Sequence, residues 1–312
     1  MKNPGLTIAL STALKKHDAV QPMPGLSTQE ELDTLVRQMV DSVARVKYVQ
    51  AIVKRHQRLG TVPEKLDPKN ARFDPLWAAV HFMKEGNTDE AFWLVFLFVL
   101  CGKHATKGYG LVRMVYGAFN DKFVWTWEKF SEDPNVFSHW LHQHLPAIKA
   151  ARSEFPFGNH RKYESLDELD VVLRSYAEWI GPQRSHEEFI AAANKKAKAA
   201  GDPKKLFDYL YRDMKAVYRF GRTGKFDYLT MLGKLKLANI EPPSAYMVHA
   251  TGPVRGARLL FGGSTDYKGF TKKQLDQMSI DLEKALGVGM QVIEDSLCNW
   301  QKSPDKYEHF SG

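Results

Sequence analysis

The 312-residue chain contains only two cysteines, Cys101 and Cys298, which excludes a disulfide-stapled scaffold. Both lie in apolar or helical stretches, where a buried, reduced thiol is the expected state. No long hydrophobic run is present either: the most apolar stretch, 91–101, is about half the length that a membrane span needs. No continuous apolar segment of the kind found in signal peptides precedes Lys15. These absences predict a cytoplasmic protein with no membrane partner.

Alternating strand patterns are also nearly absent, whereas apolar residues recur at three- and four-residue steps. The clearest run follows Ser27, where two overlapping capping boxes precede a long amphipathic helix predicted over 30–58. Leu259–Phe261 is short and flanked by glycine, so it fits either a small strand or a helix end. The predicted fold class is all-α, a compact multi-helix bundle with at most one minor strand pair. Further helices are predicted over 89–101, 111–116, 125–130, 166–180, 185–201, 206–217, 229–237, 271–286 and 290–300.

No low-complexity linker separates two clean domains. Residues 1–27 contain three prolines and are expected to form a loose arm. We therefore predict that 1–70 form an N-terminal arm and long helix, and that 71–312 form a helical domain with the active site.

Positive charge is moderately in excess, with a formal net charge of +8. The excess is densest in 212–236, which carry seven basic residues against two acidic ones. Arg212, Lys215, Arg219 and Arg222 recur there at three- to four-residue steps, which predicts one basic helical face. The long helix carries further basic residues on its outer face. Such faces suit a DNA backbone, although a solvated surface explains them equally well.

Standard catalytic motifs are missing: the chain has no P-loop, GxGxxG, GxSxG, HExxH or CxxC pattern. The histidine cluster at 139–144 lacks a nearby carboxylate or cysteine partner, so a polar surface is favoured over a metal site. We expect neither a metal nor a cofactor.

Two segments combine glycine with basic and aromatic residues in the first half of the chain. In 102–110, a turn rich in glycine holds Lys103, His104 and a second lysine after a buried helix. In 157–164, three consecutive basic residues lie between aromatic ones. Glycine lets a backbone approach a ligand closely, and the cations would hold an anion. Ordinary polar loops remain the alternative for both.

Two similar segments follow in the second half. In 220–228, Arg222 precedes Asp227, which is either the N-cap of the next helix or a general base. In 250–263, Arg255 and Arg258 are three residues apart and would grip one phosphate group; a glycine-rich connector is the alternative. Together the four segments favour a pocket for a polyanion that also carries an aromatic ring, such as a nucleotide or a phosphorylated base in DNA.

The same segments carry a family resemblance. The chain resembles the α-glutamyl/putrescinyl thymine pyrophosphorylases, also described as amino acid:DNA transferases, and is similar to the helical domain of some hydroxymethyluracil DNA kinases. The resemblance spans roughly 72–304, leaving the long helix outside it. It is carried by GKH at 102–104, FGNHRKYESL at 157–166, FGRTGKFDYLTMLGKL at 220–235, ATGPVRGARLLFGG at 250–263 and VGMQVIEDSLCNWQKSP at 288–304.

The resemblance implies hypermodification of thymine in bacteriophage or bacterial DNA. A base kinase pyrophosphorylates 5-hydroxymethyluracil, and the family enzyme lets an amine displace pyrophosphate from the 5-methylene carbon. The implied partners are modified DNA, a small amine or amino acid such as glutamate, putrescine or glycine, and the kinase.

Residue chemistry then suggests roles for individual side chains in such a reaction. Cations would neutralise the departing pyrophosphate, a carboxylate would keep the amine neutral, and an aromatic ring would stack on a thymine turned out of the duplex. The candidate catalytic residues are His104, His160, Glu164 and Asp227, with Glu294 as a further possible base. The candidate pyrophosphate ligands are Lys103, Arg161, Lys162, Arg222, Arg255 and Arg258, and the candidate stacking residues are Tyr163, Tyr228 and Trp300.

Two other classes of function remain open at this point. One is a non-catalytic helical DNA-binding subunit of a base-modification system. The other is a base-excising DNA glycosylase, although no helix-hairpin-helix pattern supports it.

Overall fold

The computed structural model describes residues 3–158, 161 and 164–310, and these form an all-α fold. Fifteen α-helices and a few short 3₁₀ turns, but no β-sheet strand, are found in this described part of the chain. The helices are α1 (Pro4–Asp18), α2 (Gln29–Leu59), α3 (Pro63–Leu66), α4 (Pro75–Lys84), α5 (Thr88–Cys101), α6 (Gly110–Tyr116), α7 (Trp127–Glu132), α8 (Pro134–Ala150), α9 (Leu169–Ile180), α10 (His186–Lys196), α11 (Pro203–Asp213), α12 (Arg222–Lys234), α13 (Gly252–Gly262), α14 (Lys272–Leu286) and α15 (Met290–Trp300).

The chain divides into two compact units. Unit 1 comprises residues 1–49 and 242–311, and unit 2 comprises residues 50–241. Because α2 crosses residue 49, its first part belongs to unit 1 and its last part to unit 2. The sequence-based limits of an arm at 1–70 and a family domain at 71–312 stay a prediction.

Unit 1 encloses an apolar core contributed by its helices α1, α13, α14 and α15 and by the first part of α2. Trp300 on α15 is completely buried in this core. The last described residues fold back on α2, where the Gln38 side chain donates to the carbonyl of Glu308 at 2.8 Å. The C-terminal segment is therefore held by α2, the long helix predicted from the sequence.

Unit 2 is organised around α5, a helix that is apolar on nearly every side. From Ala91 to Cys101 only Phe98 is not fully buried, because α4, α6, α7, α10 and α12 all pack against this helix. Asn87 caps its first turn by accepting from the N–H of Glu90, and Gly102 ends it with a φ of 70°. A helix buried all round can expose functional groups only at its two ends.

The periodicity predicted most helices correctly, including α2, α5, α14 and α15. Three expectations were wrong. Residues 4–18 are helical rather than a loose arm, since Asn3 caps a first turn that starts with Pro4. Leu259–Phe261 lies within α13, so the strand-pair alternative fails.

The basic stretch at 212–222 is not one helical face. The helix α11 ends at Asp213, and the chain passes through a 3₁₀ turn and a positive φ at Arg219 before α12 begins at Arg222. Arg219 forms an ion pair with Glu168 instead. The regular spacing of these cations in the sequence is therefore interrupted in space.

Candidate active site

The C-terminal end of α5 brings the first two glycine-containing segments into contact. The N–H of Gly158 donates to the carbonyl of Cys101 at 2.8 Å. A Cβ on Gly158 would lie 2.7 Å from the backbone nitrogen of Lys103, which is closer than atoms can approach. Gly102 and Gly158 thus permit a backbone contact that no larger residue allows, and it holds 102–104 against 157–158.

Arg161 joins this contact to the third segment. Its side chain is buried, with 7% exposed, and its Nε donates to the carbonyl of Val99 at 2.9 Å, near the end of α5. The guanidinium carbon lies 5.5 Å from the ring centre of Phe220. Its Nη2 lies 3.6 Å from the Asp227 carboxylate, yet it has no hydrogen-bond partner among the described residues. We call Val99, Gly158, Arg161, Phe220 and Asp227 the Arg161 centre.

The third segment, 220–228, contacts Arg161 from α12, because this helix begins within the segment. The helix α12 begins at Arg222, with Gly221 at the N-cap, so Asp227 lies inside the helix and is not its N-cap. Gly224 on this helix leaves room for the guanidinium, since a Cβ there would lie 3.1 Å from Nη1 of Arg161. The start of α12 at 222 rather than 229 is what turns Asp227 toward Arg161.

The remaining predicted site residues of unit 2 lie close in the sequence to members of the Arg161 centre. Lys103 is exposed, with its ammonium 5.3 Å from the ring centre of Tyr109. The His104 side chain forms hydrogen bonds within its own turn, because its Nδ1 accepts from the backbone N–H groups of Thr106 and Lys107. The N–H of Glu164 donates to the carbonyl of Arg161 at 2.9 Å. His160, Lys162 and Tyr163, three of the predicted site residues, lie outside the described residues.

The fourth segment belongs to unit 1 and is a helix, not a glycine-rich loop. A Cβ on Gly256 would lie 2.2 Å from the backbone oxygen of Leu297, and one on Gly252 would lie 2.5 Å from the sulfur of Cys298. The glycines of α13 therefore allow close packing on α15, not the approach of a ligand. Arg255 is exposed on α13 and Arg258 is half-buried one turn later. Their role in binding phosphate stays a prediction.

Two of the predicted stacking residues are core residues. Tyr228 is 1% exposed, and its hydroxyl shares a hydrogen bond of 2.7 Å with that of Tyr176. Trp300 is fully buried, and its indole nitrogen donates to the carbonyl of Pro304. Since both rings are enclosed by protein, neither presents a face to a base in this conformation.

The N-terminal end of α5 holds a set of polar residues that the sequence reasoning missed. One carboxylate oxygen of Asp89 accepts from the backbone N–H and from the Nδ1–H of His186, at 2.6 and 2.8 Å. The other ring nitrogen of His186, which is fully buried, lies 2.7 Å from the hydroxyl of Tyr176. With Tyr228 this forms a continuous hydrogen-bonded chain from α5 through α10 and α9 to α12.

Glu90, the next residue, is 2% exposed. Its carboxylate accepts from the hydroxyl of Tyr116 at 2.5 Å and from the N–H of Trp127 at 2.7 Å. Burial raises the pKa of Glu90 from 4.5 to about 7, despite these two hydrogen bonds. Burial alone would also raise the pKa of Asp89, but the hydrogen bonds from His186 hold that pKa below its usual value. Adjacent carboxyl groups thus differ in acidity.

Asp89 and Glu90 are both lining residues of a cavity of about 430 Å³ at this end of the helix. We call it the acidic cavity; its other charged lining residues are Glu128 and Arg184, and its aromatic ones are Phe82 and Trp127. One signal in the sequence points to it: two acids open a helix that is otherwise apolar all round. From the sequence alone they indicate only a helix start, because the partner histidine lies 97 residues away.

No helix in the described part of the chain is long and apolar enough to cross a membrane. Comparison with curated proteins and with solved structures gives no match. A family model described as alpha-glutamyl/putrescinyl thymine pyrophosphorylase clade 3 matches residues 30–312. The match takes in the long helix α2, which the resemblance by motifs had left outside.

Proposed function

Because the chain belongs to the alpha-glutamyl/putrescinyl thymine pyrophosphorylase family, we propose that it joins an amine to a pyrophosphorylated thymine base in DNA. The family name implies an enzyme of thymine hypermodification that acts on DNA. In the proposed reaction, a C–N bond forms at the 5-methylene carbon and the C–O bond to pyrophosphate breaks. Pyrophosphate leaves with the electron pair, and the attacking amine loses one proton to a base.

The observation that supports this proposal is the convergence on Arg161. Three segments that are far apart in the sequence meet there, and the guanidinium is buried, with no hydrogen bond to Nη2 from any residue that the structure describes. A buried N–H without an acceptor is costly, so it favours an anionic oxygen as its partner. A pyrophosphate oxygen is such an acceptor.

Cations near the leaving group would accelerate the reaction because charge accumulates on pyrophosphate as the bond breaks. We assign this role to Arg161, with Lys103 and Arg222 as supporting cations from the adjoining segments. Lys103 extends from the backbone contact between Gly102 and Gly158, and Arg222 begins α12. Arg161 is held on two sides, so its geometry is set before the substrate binds.

Asp227 is our candidate for the base that takes the proton of the amine. Its carboxylate lies beside Arg161 and its side chain is 39% exposed, so it is accessible from solvent. Glu164 follows Arg161 in the chain and is the second candidate. A base adjacent to the leaving-group clamp would act on the amine only once the activated base is bound.

The test is mass spectrometry of nucleosides from DNA that carries 5-pyrophosphoryloxymethyluracil, after incubation with the protein and an amine mixture. We expect an amino-linked thymine and free pyrophosphate only when DNA and amine are both present. Lys103→Ala removes an exposed cation without disturbing the core, and it should lower turnover about tenfold. Lys122→Ala, an exposed lysine elsewhere in unit 2, is the matched control and should leave turnover unchanged.

Two other results would replace the proposal. DNA that stays unmodified with every amine, but still binds, indicates a non-catalytic subunit. An abasic product indicates a glycosylase.

A further inference from the structure

The hydrogen-bonded chain that starts at Asp89 runs through the core of unit 2. Its other members, His186, Tyr176 and Tyr228, are almost completely buried. The contacts are 2.8 Å between Asp89 and Nδ1 of His186, 2.7 Å between Nε2 and the Tyr176 hydroxyl, and 2.7 Å between the two hydroxyls. Polar groups are costly to enclose in a protein interior, so an unbroken chain of them across four helices indicates a specific role.

The donor and the acceptor of each bond follow from the charged end of the chain. Despite burial, the hydrogen bonds from His186 hold the pKa of Asp89 below its usual value, so its carboxylate is ionised and can only accept. Nδ1 of His186 therefore carries a proton. Burial lowers the pKa of His186 despite the nearby carboxylate, so the ring is neutral and its Nε2 carries none. Tyr176 must then donate to Nε2, and Tyr228 must donate to the oxygen of Tyr176.

The chain ends on the face of α12 that meets Arg161. Gly224 and Tyr228 are four residues apart, so they lie on one face of this helix, with Asp227 beside them. Gly224 is the residue whose lack of a Cβ leaves room for the guanidinium. Any movement of Tyr228 would therefore shift the groups of α12 that face Arg161.

Aromatic packing carries the same restraint to Arg161 by a second route. The Phe96 ring of α5 stacks on Tyr176, with ring centres 3.7 Å apart, and meets Tyr228 edge-on at 5.6 Å. Phe220 lies under the guanidinium, and its ring centre is 5.0 Å from that of Phe96 and 6.4 Å from that of Tyr228. Because these rings pack directly on one another, the bond between the two tyrosine hydroxyls also restrains the ring beneath the guanidinium.

We propose that His186 is a positioning residue, which acts through the two tyrosines to hold α12 and Phe220 against Arg161. Asp89 supports it by keeping Nδ1 protonated, so that Nε2 stays an acceptor. The one ionised group of the chain lies at the other end of α5 and is partly exposed to solvent, so the chain restrains the guanidinium without bringing a charge to it. The effect on turnover rests on the function proposed above, whereas the tautomer of His186 and the restraint on Arg161 do not.

Two NMR measurements test the proposal without relying on turnover. In protein with isotopically labelled histidine, the ring of His186 should show the Nδ1–H tautomer. An Nε2–H tautomer, or a charged ring at neutral pH, overturns the direction of the chain. In protein with labelled arginine, the Nε–H of Arg161 should exchange with solvent about tenfold faster in Tyr228→Phe than in the unmodified protein. An unchanged exchange rate contradicts the restraint on Arg161.

Tyr116→Phe is the matched control. It removes the hydroxyl of another buried tyrosine of unit 2, one that donates to Glu90 and does not belong to the chain. Both variants should lower the melting temperature. Only Tyr228→Phe should speed the exchange at Arg161, and only it should lower kcat, about tenfold, with KM for the activated DNA unchanged. Equal losses of kcat in the two variants would show a general effect of stability and overturn the proposal.

Two substitutions of His186 separate its two contacts. An asparagine amide reaches the approximate position of Nδ1, and a glutamine amide reaches that of Nε2. His186→Asn therefore keeps a donor for Asp89, whereas His186→Gln keeps an acceptor for Tyr176. We expect His186→Gln to retain about tenfold more turnover than His186→Asn, and equal turnover would contradict a role through Tyr176. Tyr228→Phe decides the proposal even where the His186 variants do not fold.

The transfer assay separates this proposal from the proposed function. If no amine is joined to the activated DNA, while exchange at Arg161 rises in Tyr228→Phe and not in Tyr116→Phe, the reaction class is wrong and the positioning role stands. If transfer occurs and the two variants have the same kcat, the positioning role is wrong and the reaction class stands.

Discussion

The two ends of α5 carry opposite charges, and the charged side chains at each end have different kinds of partner. Carboxylates at the N-terminus and a guanidinium at the C-terminus both agree with the helix dipole. At the C-terminal end, Arg161 faces an opposite charge on Asp227. At the N-terminal end, Glu90 faces neutral donors and two further carboxylates. The dipole explains the sign of the charge at each end, but not a buried carboxylate with like-charged neighbours.

Under the proposed function, substitutions at the basic end should lower turnover, whereas substitutions at the acidic end should change how the free energy of unfolding depends on pH. Changes at Arg161, Glu90 and Gly158 test this difference, in order of decreasing effect.

Arg161→Ala should have the largest effect, because it removes the centre of the basic end. We expect turnover on pyrophosphorylated DNA to fall about 100-fold or more, well beyond any loss of DNA affinity. Losing the buried hydrogen bond from Arg161 to the Val99 carbonyl also lowers the free energy of unfolding, by about 1–3 kcal/mol. Turnover and DNA binding are measured on the same sample, well below its melting temperature.

Arg161→Lys keeps the charge but loses the fork of the guanidinium, and should recover part of the activity. Arg152→Ala, at an exposed position of unit 2, is the neutral control. Equal losses of turnover and of DNA affinity in Arg161→Ala would contradict a role in catalysis.

Glu90, at the acidic end, should make the free energy of unfolding depend on pH. Its pKa rises from 4.5 to about 7 on folding, so the folded state binds the proton more tightly than the unfolded state. The stabilisation from the neutral carboxyl group is complete below about pH 4.5 and is lost as the pH rises through 7. The contribution of Glu90 should therefore fall by up to about 3 kcal/mol over this range.

Chemical denaturation of the protein and of Glu90→Gln at a series of pH values measures the difference. The variant should lack this component. An identical pH dependence in both proteins would show that Glu90 titrates in the folded protein as it does in water.

Gly158→Ala should disturb the basic end without removing a charge. A Cβ there would lie within 2.8 Å of three backbone atoms of Gly102 and Lys103, so the loop must move away from α5. We expect a loss of about 2 kcal/mol in the free energy of unfolding, together with lower turnover. Gly5→Ala in α1 meets no atom within 4 Å and should be neutral or slightly stabilising. Wild-type stability in Gly158→Ala would show that the Gly102–Gly158 contact is dispensable.

The sequence anticipated the basic end better than the acidic end. Glycine next to basic and aromatic residues is a local pattern, and it marked Gly102, Gly158 and Arg161 before their contact was known. The acidic end depends on Asp89 meeting His186, and on Glu90 meeting Tyr116 and Trp127. Those partners come from other helices, so no short window of sequence contains the signal.

Similar local patterns also led to different outcomes. The segment 252–258 has glycine beside arginine, like the other glycine-containing segments. Its glycines nevertheless allow α13 to pack on α15. Arg212 to Arg222 have helical spacing, yet the chain turns between them. In both stretches the local pattern is compatible with more than one environment, and only the neighbouring helix determines which is present.

By itself, the sequence determined the helical class, the course of α2, the buried nature of α5 and most of the capped helix starts. These properties depend on contacts within a few residues, which periodicity and capping side chains encode. Tertiary structure decided that Arg161 reaches Val99 and Asp227, that Tyr228 and Trp300 are core residues, and that Asp89 and Glu90 share a cavity. Each of these depends on which distant helix packs alongside, and that choice is made by the burial of apolar surface over the whole unit.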